Sequence, residues 1–348
     1  MKGAQTGINR RLLVSALLTL PALPALLASV TAQAQTSAGP LASWNDGPAK
    51  QAILDFVRAA TDSTSAAYAP PEDRIATFDQ DGTMWVEHPL YTQAMFAFDR
   101  VHELAPQHRE WEDEEPFKAV LSSDLAAIAH LTEGEFAEII FGTHAGMSEE
   151  AFVEIAGQWI AKAKHPRFKR LYTELVYQPM LEVMEYLRAN GFKTYIVTGG
   201  GQDFVRAYAR RVYGVPREQV LGSSIATKYE YENGKPQLIR LPKLFFDCNF
   251  GGKAVGIERF IGKRPCAAFG NSTGDQQMLE YAGGGDGARL TMLVLHDDEQ
   301  REYAYGPAQG LPDTKVGTFT QALYDEAKKD GWTAISMKND WKRVFAFE

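Results

Sequence analysis

The stretch Arg74–Glu87, with the sequence RIATFDQDGTMWVE, decides the fold. Its apolar first half, which ends at Phe78, predicts a buried β-strand, and two aspartates follow that strand directly. Asp79 and Asp81 are one residue apart, so an extended backbone points both carboxylates in the same direction, and Gly82 permits a sharp turn out of the strand. Because open α/β sheets place their active sites at the carboxyl ends of strands, the stretch indicates such a site.

The same stretch has a simpler interpretation, in which aspartate and glycine are only turn formers after a strand. The pattern Asp-x-Asp-Gly-Thr does not by itself decide between an acidic turn and an active site. Three later segments of the chain favour the active site.

The composition is that of an ordinary globular protein. The 348 residues are 45% hydrophobic and 23% charged, which is enough for one large domain with an insertion or for two domains. The formal net charge is −8 and the sequence has no block rich in lysine and arginine, so nucleic acid is not an expected partner. An acidic protein that binds an anionic substrate must create its positive field locally.

The N-terminal segment has the features of a secretory signal peptide. Basic residues precede an apolar run over residues 12–30, and an Ala-Gln-Ala motif ending at Ala34 matches a cleavage site. The pair Arg10 and Arg11 is typical of twin-arginine export. We expect removal of residues 1–34 and an exported protein, periplasmic or secreted, without stable membrane insertion. The alternative is an uncleaved anchor, but two prolines interrupt the run.

The two cysteines, Cys248 and Cys266, are expected to be free thiols. An exported protein can form disulfides, but these residues fall at opposite ends of the predicted sheet. The sequence has no Cys/His cluster of the kind that binds zinc.

The remaining chain divides into a predicted core and an inserted helical module. Strand and helix patterns alternate in residues 35–88 and 178–348, whereas residues 89–177 show helical spacing only. The second segment is too long for a simple crossover between strands. We therefore predict an α/β fold with a Rossmann-like parallel sheet core and an α-helical cap that can act as a lid. The helical spacing recurs over residues 91–104, 117–128, 136–140 and 152–160.

Polar groups follow three later elements. Thr198 begins a Thr-Gly-Gly-Gly segment between a strand and a helix, which suits a phosphate but also fits a plain turn. Lys253 lies at a helix start, where the helix dipole disfavours it, so we expect it to face a ligand or a carboxylate. Asn271 and Asp275 follow another strand. Since the ends of parallel strands share one edge, these groups should converge on Asp79.

Other elements complete the predicted core. They are a helix over residues 46–62 capped by Asp46, a hairpin over residues 220–240 that turns at Asn233-Gly234, a helix that starts at residues 296–298, and a C-terminal segment that closes the sheet edge with Trp341 in the core.

The four motifs, taken in order, resemble those of the haloacid dehalogenase superfamily of phosphohydrolases. The resemblance covers nearly all of the chain after the signal segment, and the insertion is similar to the helical C1 cap of that superfamily. It implies that Asp79 is a nucleophile that forms an aspartyl-phosphate and that Asp81 is the general acid/base.

The resemblance also implies the ligands of substrate and metal. It assigns phosphate binding to Thr198, Gly199 and Lys253. It assigns Mg2+ to Asp79, the Asp81 carbonyl, Asn271 and Asp275. The fourth motif usually begins with aspartate where this chain has Asn271, so Mg2+ binding is expected to be weaker here and tighter in Asn271→Asp.

The electrostatic repulsion between a carboxylate and a phosphate ester independently indicates that a cation is needed. A carboxylate that attacks a phosphate dianion at about 4 Å meets two unit repulsions of roughly 4 kcal/mol each at an effective dielectric near 20. Hydrogen bonds to charged groups contribute about 1.5 to 3 kcal/mol and do not offset this repulsion. A divalent cation and a lysine are therefore required.

The resemblance favours a phosphatase, because dehalogenases of the superfamily lack a second aspartate at the Asp81 position. Phosphoserine phosphatases carry a substrate-binding glutamate nine residues after the nucleophile. Here that position is His88, and Glu87 comes one residue earlier. Serine specificity is therefore not implied, and the two residues are either substrate contacts or an exposed polar turn.

The sequence thus predicts an exported Mg2+-dependent phosphomonoesterase that acts on small phosphate esters. Two alternatives remain: a phosphate-ester binding protein without turnover, prompted by Asn271, and phosphonate cleavage or phosphoryl transfer. Phosphonate cleavage would need a cap lysine, for which Lys118, Lys162 and Lys164 are candidates. The sequence predicts neither the particular ester nor the oligomeric state.

Overall fold

The computed structural model describes residues 39–348, so the predicted signal segment and its cleavage site lie outside the described residues. The strands are β1 (Ile75–Phe78), β2 (Lys193–Gly201), β3 (Val220–Glu232), β4 (Lys235–Phe246), β5 (Ala267–Gly270), β6 (Leu290–Leu295) and β7 (Thr333–Ser336). The α-helices are α1 (Pro48–Thr61), α2 (Thr92–Leu104), α3 (Phe117–Leu121), α4 (Leu125–His130), α5 (Glu133–His144), α6 (Glu149–Ile160), α7 (Gln178–Ala189), α8 (Gln202–Arg206), α9 (Ala209–Tyr213), α10 (Gly251–Phe260), α11 (Gln276–Gly283), α12 (Gln321–Lys329) and α13 (Met337–Asp340).

These strands form one sheet in the order β4-β3-β2-β1-β5-β6-β7. Every neighbouring pair is parallel except β3 and β4, which are antiparallel. The predicted Rossmann-like α/β core is therefore confirmed, with β1 in the middle of the sheet. Because β1, β2 and β5 are parallel neighbours, the segments that follow them leave from one edge.

Both faces of the sheet are covered by helices, as a parallel sheet requires. Alternate residues point to opposite faces: Phe78 and Ile196 pack with buried residues of α1 and α7, whereas Val197 and Leu293 pack with those of α10, α11 and α12. Phe78 also stacks on Phe269 of the next strand, with ring centroids 4.5 Å apart. Each large apolar side chain buried in this way contributes about 1.5–3 kcal/mol. The result is a three-layer α/β/α core that holds the strand ends in fixed positions.

The predicted hairpin is confirmed and is longer than expected. It turns at Asn233 and Gly234, whose φ angles of 51° and 74° are typical of the tight turns that join antiparallel strands. β4 continues to Phe246, so the hairpin extends along the edge of the sheet.

Helices α2 to α6 lie between β1 and β2, where the helical cap is predicted. Thr132 and Glu135 form the capping box at the start of α5, as the pattern of the sequence indicates. The single helix expected over residues 117–128 is wrong, because Ser123 has a φ of 55° and the Asp124 side chain accepts hydrogen bonds from two later backbone N–H groups. Asp124 thereby caps a new helix, α4. The boundaries predicted for the cap stay predictions.

Arg240 of β4 joins the edge strand to the helices between β1 and β2. Its side chain is buried, and Nη1 lies 2.7 Å from Glu149 and 3.0 Å from Asp203, while Nε donates to the His144 carbonyl at 2.8 Å. Its backbone N–H and C=O also bond to residues 146–147 at 2.9 Å. Loss of these partners would leave a buried guanidinium charge without compensation, which costs free energy. The contacts of Arg240 therefore hold the edge strand firmly to the helices.

Two predicted helix starts differ from the structure. The N-cap of α1 is Gly47, whose neighbour Asp46 instead pairs with Lys50 on the surface. The helix expected from residues 296–298 is wrong, because Asp297 and Ala304 form an antiparallel bridge that closes this segment into a short loop.

The C-terminal segment closes the sheet edge through β7, as predicted, and Trp341 is buried against Trp44. Cys248 and Cys266 are free and buried, which confirms the expected thiols. Among the helices of residues 39–348, none has both the length and the apolar character that a membrane crossing requires.

Candidate active site

The chain turns sharply after β1, and this turn shapes the site. The Asp79 N–H donates to the Phe269 carbonyl at 2.9 Å, so the first aspartate still belongs to the sheet. Gly82 then adopts a φ of 75°, and its N–H closes a turn on the Trp85 carbonyl at 2.9 Å. The Trp85 indole donates to Asp81 at 2.7 Å. The sheet therefore fixes the backbone of Asp79, and the turn fixes the side chain of Asp81.

Lys253 connects the segments that the sequence predicts to converge. Its ammonium group is buried and donates to the carboxylates of Asp79 and Asp275, the latter at 2.6 Å, and to the Val197 carbonyl at 2.9 Å. Lys253 lies in the first turn of α10, so its contacts with carboxylates explain a charge that the helix itself disfavours. The structure thus brings Asp79, Lys253 and Asp275 together.

Asp275 holds the turn after β5. Its Oδ2 accepts hydrogen bonds from the backbone N–H groups of Asn271 and Ser272 at 2.9 and 3.0 Å, while Oδ1 faces Lys253. Both oxygens therefore have partners within the protein. This geometry favours a supporting role for Asp275, and its assignment as a metal ligand stays a prediction.

The Thr-Gly-Gly-Gly segment lies beside Asp81, and the strand β2 runs through it rather than stopping before it. The Thr198 hydroxyl accepts from the Gly200 N–H at 3.0 Å, and Gln93 Oε1 accepts from the Gly201 N–H at 2.6 Å. These two N–H groups are therefore bonded within the protein and are not free for a phosphate in this structure. A Cβ at Gly200 would lie 3.8 Å from Asp81 Oδ2, so Gly200 is close to the second aspartate.

Burial strongly affects the acids of the site. It raises the pKa of Asp79 to about 7, with a further rise from the charge of Asp275 and an opposing effect of Lys253. It raises the pKa of Asp81 to about 6, against the hydrogen bond from Trp85. Burial lowers the pKa of Lys253, but the charges of Asp275 and Asp79 outweigh it and leave this pKa raised, so the ammonium stays protonated.

Glu87 also belongs to the site, and the expectation of an exposed polar turn at residues 87–88 is wrong. The residue is 2% exposed, and its carboxylate accepts hydrogen bonds from the Tyr305 hydroxyl at 2.8 Å and from Asn271 Nδ2 at 2.7 Å. Burial raises the pKa of Glu87 well above its ordinary value, and the neighbouring Asp81 adds to the rise. His88 is likewise buried, and its Nε2 lies 3.1 Å from the Val316 carbonyl.

Sequence reasoning missed three further residues at the site. Gln93 of α2 binds the Gly201 N–H, Tyr305 binds Glu87, and His296 Nε2 lies 2.7 Å from the Gly82 carbonyl. Gln93 and Tyr305 follow no recognisable motif, so only the folded chain reveals them. His296 had a signal, because it directly follows a buried strand at the same sheet edge.

The residues present fit a hard divalent cation. No group of three or more His, Cys, Asp or Glu side chains is arranged as a metal site within residues 39–348. Carboxylate and amide oxygens of Asp79, Asp81 and Asn271 nevertheless lie at one sheet edge, and Mg2+ prefers oxygen ligands. Among the described residues of the site, the carboxylates of Asp79, Glu87 and Asp275 are buried, and Lys253 supplies one buried ammonium. A cation would balance this charge.

The fold and the site together define the class of protein: an α/β enzyme with paired carboxylates and a lysine at the carboxyl edge of a parallel sheet. The model of one family, haloacid dehalogenase-like hydrolase, matches residues 76–280. The match includes more than half of the chain and all four motifs, and the protein belongs to this family of hydrolases.

Several solved structures match this chain at low sequence identity. A protein of unknown function from Bordetella pertussis Tohama I is 19% identical, with 75% of this chain and 97% of that chain covered and a TM-score of 0.46. A conserved protein of unknown function from Anaerococcus prevotii DSM 20548 is 16% identical, with 71% and 85% covered and a TM-score of 0.47. A phosphoserine phosphohydrolase-like protein from Francisella tularensis subsp. tularensis SCHU S4 is 16% identical, with 65% and 89% covered and a TM-score of 0.35. A comparison with curated proteins finds no match.

Proposed function

We propose that this hydrolase is an exported Mg2+-dependent phosphomonoesterase that acts on small phosphate esters through an aspartyl-phosphate. The observation that carries the proposal is the contact of the buried Lys253 ammonium with Asp79, beside the second carboxylate Asp81. An attacking carboxylate, a fixed cation and a second acid are the groups that phosphate-ester cleavage by a carboxylate needs.

Each residue has a role that its surroundings support. Asp79 attacks the phosphorus, and Lys253 reduces the repulsion between the carboxylate and the anionic substrate. Asp81, with a pKa of about 6, protonates the leaving alkoxide and then takes a proton from the water that hydrolyses the aspartyl-phosphate. Thr198 and Gly199 border the position of the phosphate.

Mg2+ would be held by Asp79, the Asp81 carbonyl and Asn271, with Asp275 as a ligand or as the support of Asn271. When bound, it supplies positive charge that polarises the phosphate and neutralises the nucleophile.

The assay is phosphate release from an aryl phosphate by the purified protein. We expect activity with Mg2+ and its loss with EDTA, and we expect Asp79→Asn to lower kcat by about 10³-fold or more. The matched control is Asp73→Asn, an aspartate that is half exposed and pairs with a surface lysine. Undiminished activity in Asp79→Asn would refute the proposal.

The exported location is proposed from the sequence alone. Intact mass of the protein from the periplasm or medium should correspond to a chain that begins after Ala34. Replacement of Arg10 and Arg11 by lysine should block export if the twin-arginine route is used. A full-length protein retained inside the cell would contradict this part of the proposal.

No specific observation favours the alternatives. Phosphonate cleavage would need a lysine that forms a Schiff base, which is favoured for a buried, desolvated amine. The candidate lysines are all exposed: Lys118, Lys162 and Lys164.

A further inference from the structure

The carboxylate of Glu87 occupies a space that the fold keeps open for it. It is 2% exposed, and its Oε1 accepts hydrogen bonds from Tyr305 at 2.8 Å and from Asn271 Nδ2 at 2.7 Å. Gly82 and Gly317 have φ angles of 75° and 66°, and a Cβ on either would overlap the Glu87 carboxylate. Two glycines and two donors thus surround one carboxylate, at the turn that carries the paired aspartates.

Glu87 fixes the orientation of the Asn271 amide. A carboxylate oxygen accepts hydrogen bonds, so the N–H₂ side of the amide must face Glu87. The other side, Oδ1, then accepts from the Thr83 hydroxyl at 3.1 Å, and the same hydroxyl is 3.5 Å from Asp79 Oδ2. The amide oxygen of Asn271 is therefore presented on the side of the nucleophile.

The charge of the pair follows from the same contact. An aspartate at position 271 would place a second carboxylate 2.7 Å from Glu87, where two like charges strongly disfavour each other. When the Glu87 carboxyl is ionised, its pair with Asn271 carries one negative charge, as an aspartate beside a neutral amide would. With Glu87 ionised, the substitution of asparagine for the usual aspartate therefore does not reduce the charge of this part of the site.

We infer that Glu87 and Asn271 form a charge-exchanged pair, in which Glu87 supplies the negative charge that Asn271 lacks and positions the amide oxygen towards the cation. Glu87 is thus a positioning residue for Mg2+ binding. The inference rests on the proposed function for its cation, whereas the contact itself is a property of the fold. It also replaces the simple expectation that Asn271→Asp tightens Mg2+ binding.

The test compares four full-length proteins: wild type, Glu87→Gln, Asn271→Asp and the double variant. Mg2+ binding is measured by calorimetric titration at about pH 8, and thermal unfolding is measured in EDTA. Loss of a unit charge beside a divalent cation should weaken Mg2+ binding at least about tenfold in Glu87→Gln. Asn271→Asp alone should unfold at lower temperature in EDTA and bind Mg2+ no more tightly than wild type. The double variant, in which the charges are exchanged, should return to within about threefold of wild-type affinity.

The matched control is Tyr305→Phe, which removes the other hydrogen bond to Glu87 without changing the charge of Glu87. Its Mg2+ affinity should stay within about threefold of wild type. Tighter Mg2+ binding by Asn271→Asp in the presence of Glu87 would overturn the inference, and so would additive effects of the two substitutions. If Glu87→Gln does not fold, the result for Asn271→Asp alone decides.

These readouts separate the inference from the proposed function. Coupled effects of Glu87 and Asn271 on Mg2+ binding, in a protein that releases no phosphate from any ester, would support the pair and count against the phosphatase. A wild-type protein that binds no Mg2+ would overturn the positioning role of Glu87 and the metal dependence together, while phosphate release in EDTA would still support hydrolysis.

Discussion

Replacement of Lys253 by methionine should destabilise the protein strongly, because the ammonium is the buried cation that Asp79 and Asp275 share. Lys253 is 2% exposed and also donates to a backbone carbonyl at 2.9 Å. Removing one partner of a buried ion pair costs about 3–5 kcal/mol, since the remaining charge is left without compensation. At roughly 2 °C per kcal/mol for a chain of this size, the melting temperature should fall by about 6–10 °C.

The loss in Lys253→Met should depend on pH in a defined direction. Lys253 lowers the pKa of Asp79, which burial has raised to about 7, so its removal raises this pKa further. A carboxyl whose folded pKa lies above its unfolded value near 4 favours the folded state at low pH, and this stabilisation is lost as pH rises through the folded pKa. The deficit of Lys253→Met should therefore be smaller at about pH 5 than at about pH 8.

The assay is thermal or denaturant unfolding in EDTA at both pH values, with Lys263→Met as the matched control. Lys263 also pairs with an aspartate, Asp73, at 2.5 Å, but its side chain is 42% exposed. Exposed pairs of this kind contribute about 1 kcal/mol or less. Equal stability of Lys253→Met and Lys263→Met, or a deficit that grows as the pH falls, would refute the reasoning.

Two other predictions concern the turn and the helices. Gly82→Ala should lower the free energy of unfolding by about 2–3 kcal/mol and weaken Mg2+ binding, because the added Cβ would overlap Asn271. The control is Gly234→Ala, which has a similar φ of 74° and no atom within 4 Å of the added Cβ, and which should cost only about 1 kcal/mol in urea unfolding. Equal losses in the two variants would contradict this prediction. Burial lowers the pKa of His144 to about 3, so the folded state cannot take up the proton that the unfolded state binds below about pH 6.5, and stability is lost as pH falls. His144→Asn should therefore reduce the loss of stability between about pH 6.5 and 5 by up to about 2 kcal/mol, and an unchanged slope of unfolding free energy against pH would count against it.

The sequence predicts the sheet and the meeting of its distant segments for a physical reason. A buried parallel strand needs apolar residues along its length and must be followed by a turn, so the runs before Asp79, Thr198 and Asn271 are visible as strands. Parallel pairing then brings the ends of those strands to one edge without any knowledge of side-chain positions. Lys253 is recognisable because a positive charge is unfavourable at the start of a helix.

The contacts that depend on loops could not be predicted in this way. For Glu87, nothing in the sequence distinguishes a buried glutamate that accepts two hydrogen bonds from a glutamate on an exposed turn. Tyr305 lies just after the segment that the sequence pattern presents as a helix and the structure shows as a loop, and Gln93 is one polar residue among several on an amphipathic helix. Their positions follow from packing between segments far apart in the chain, which local periodicity does not encode.

The Arg240 junction limits how the helical insertion can move as a lid. An outward swing of α6 that left β4 behind would break two backbone hydrogen bonds and separate the buried guanidinium from Glu149. A motion that carries the hairpin along with the helices keeps the two backbone hydrogen bonds and the Glu149 contact, and breaks only the contact with Asp203 of α8. Entry and release of ligands at the carboxylates would then be coupled to bending of the β3–β4 hairpin. Residues far from the active site can therefore set the rate of product release.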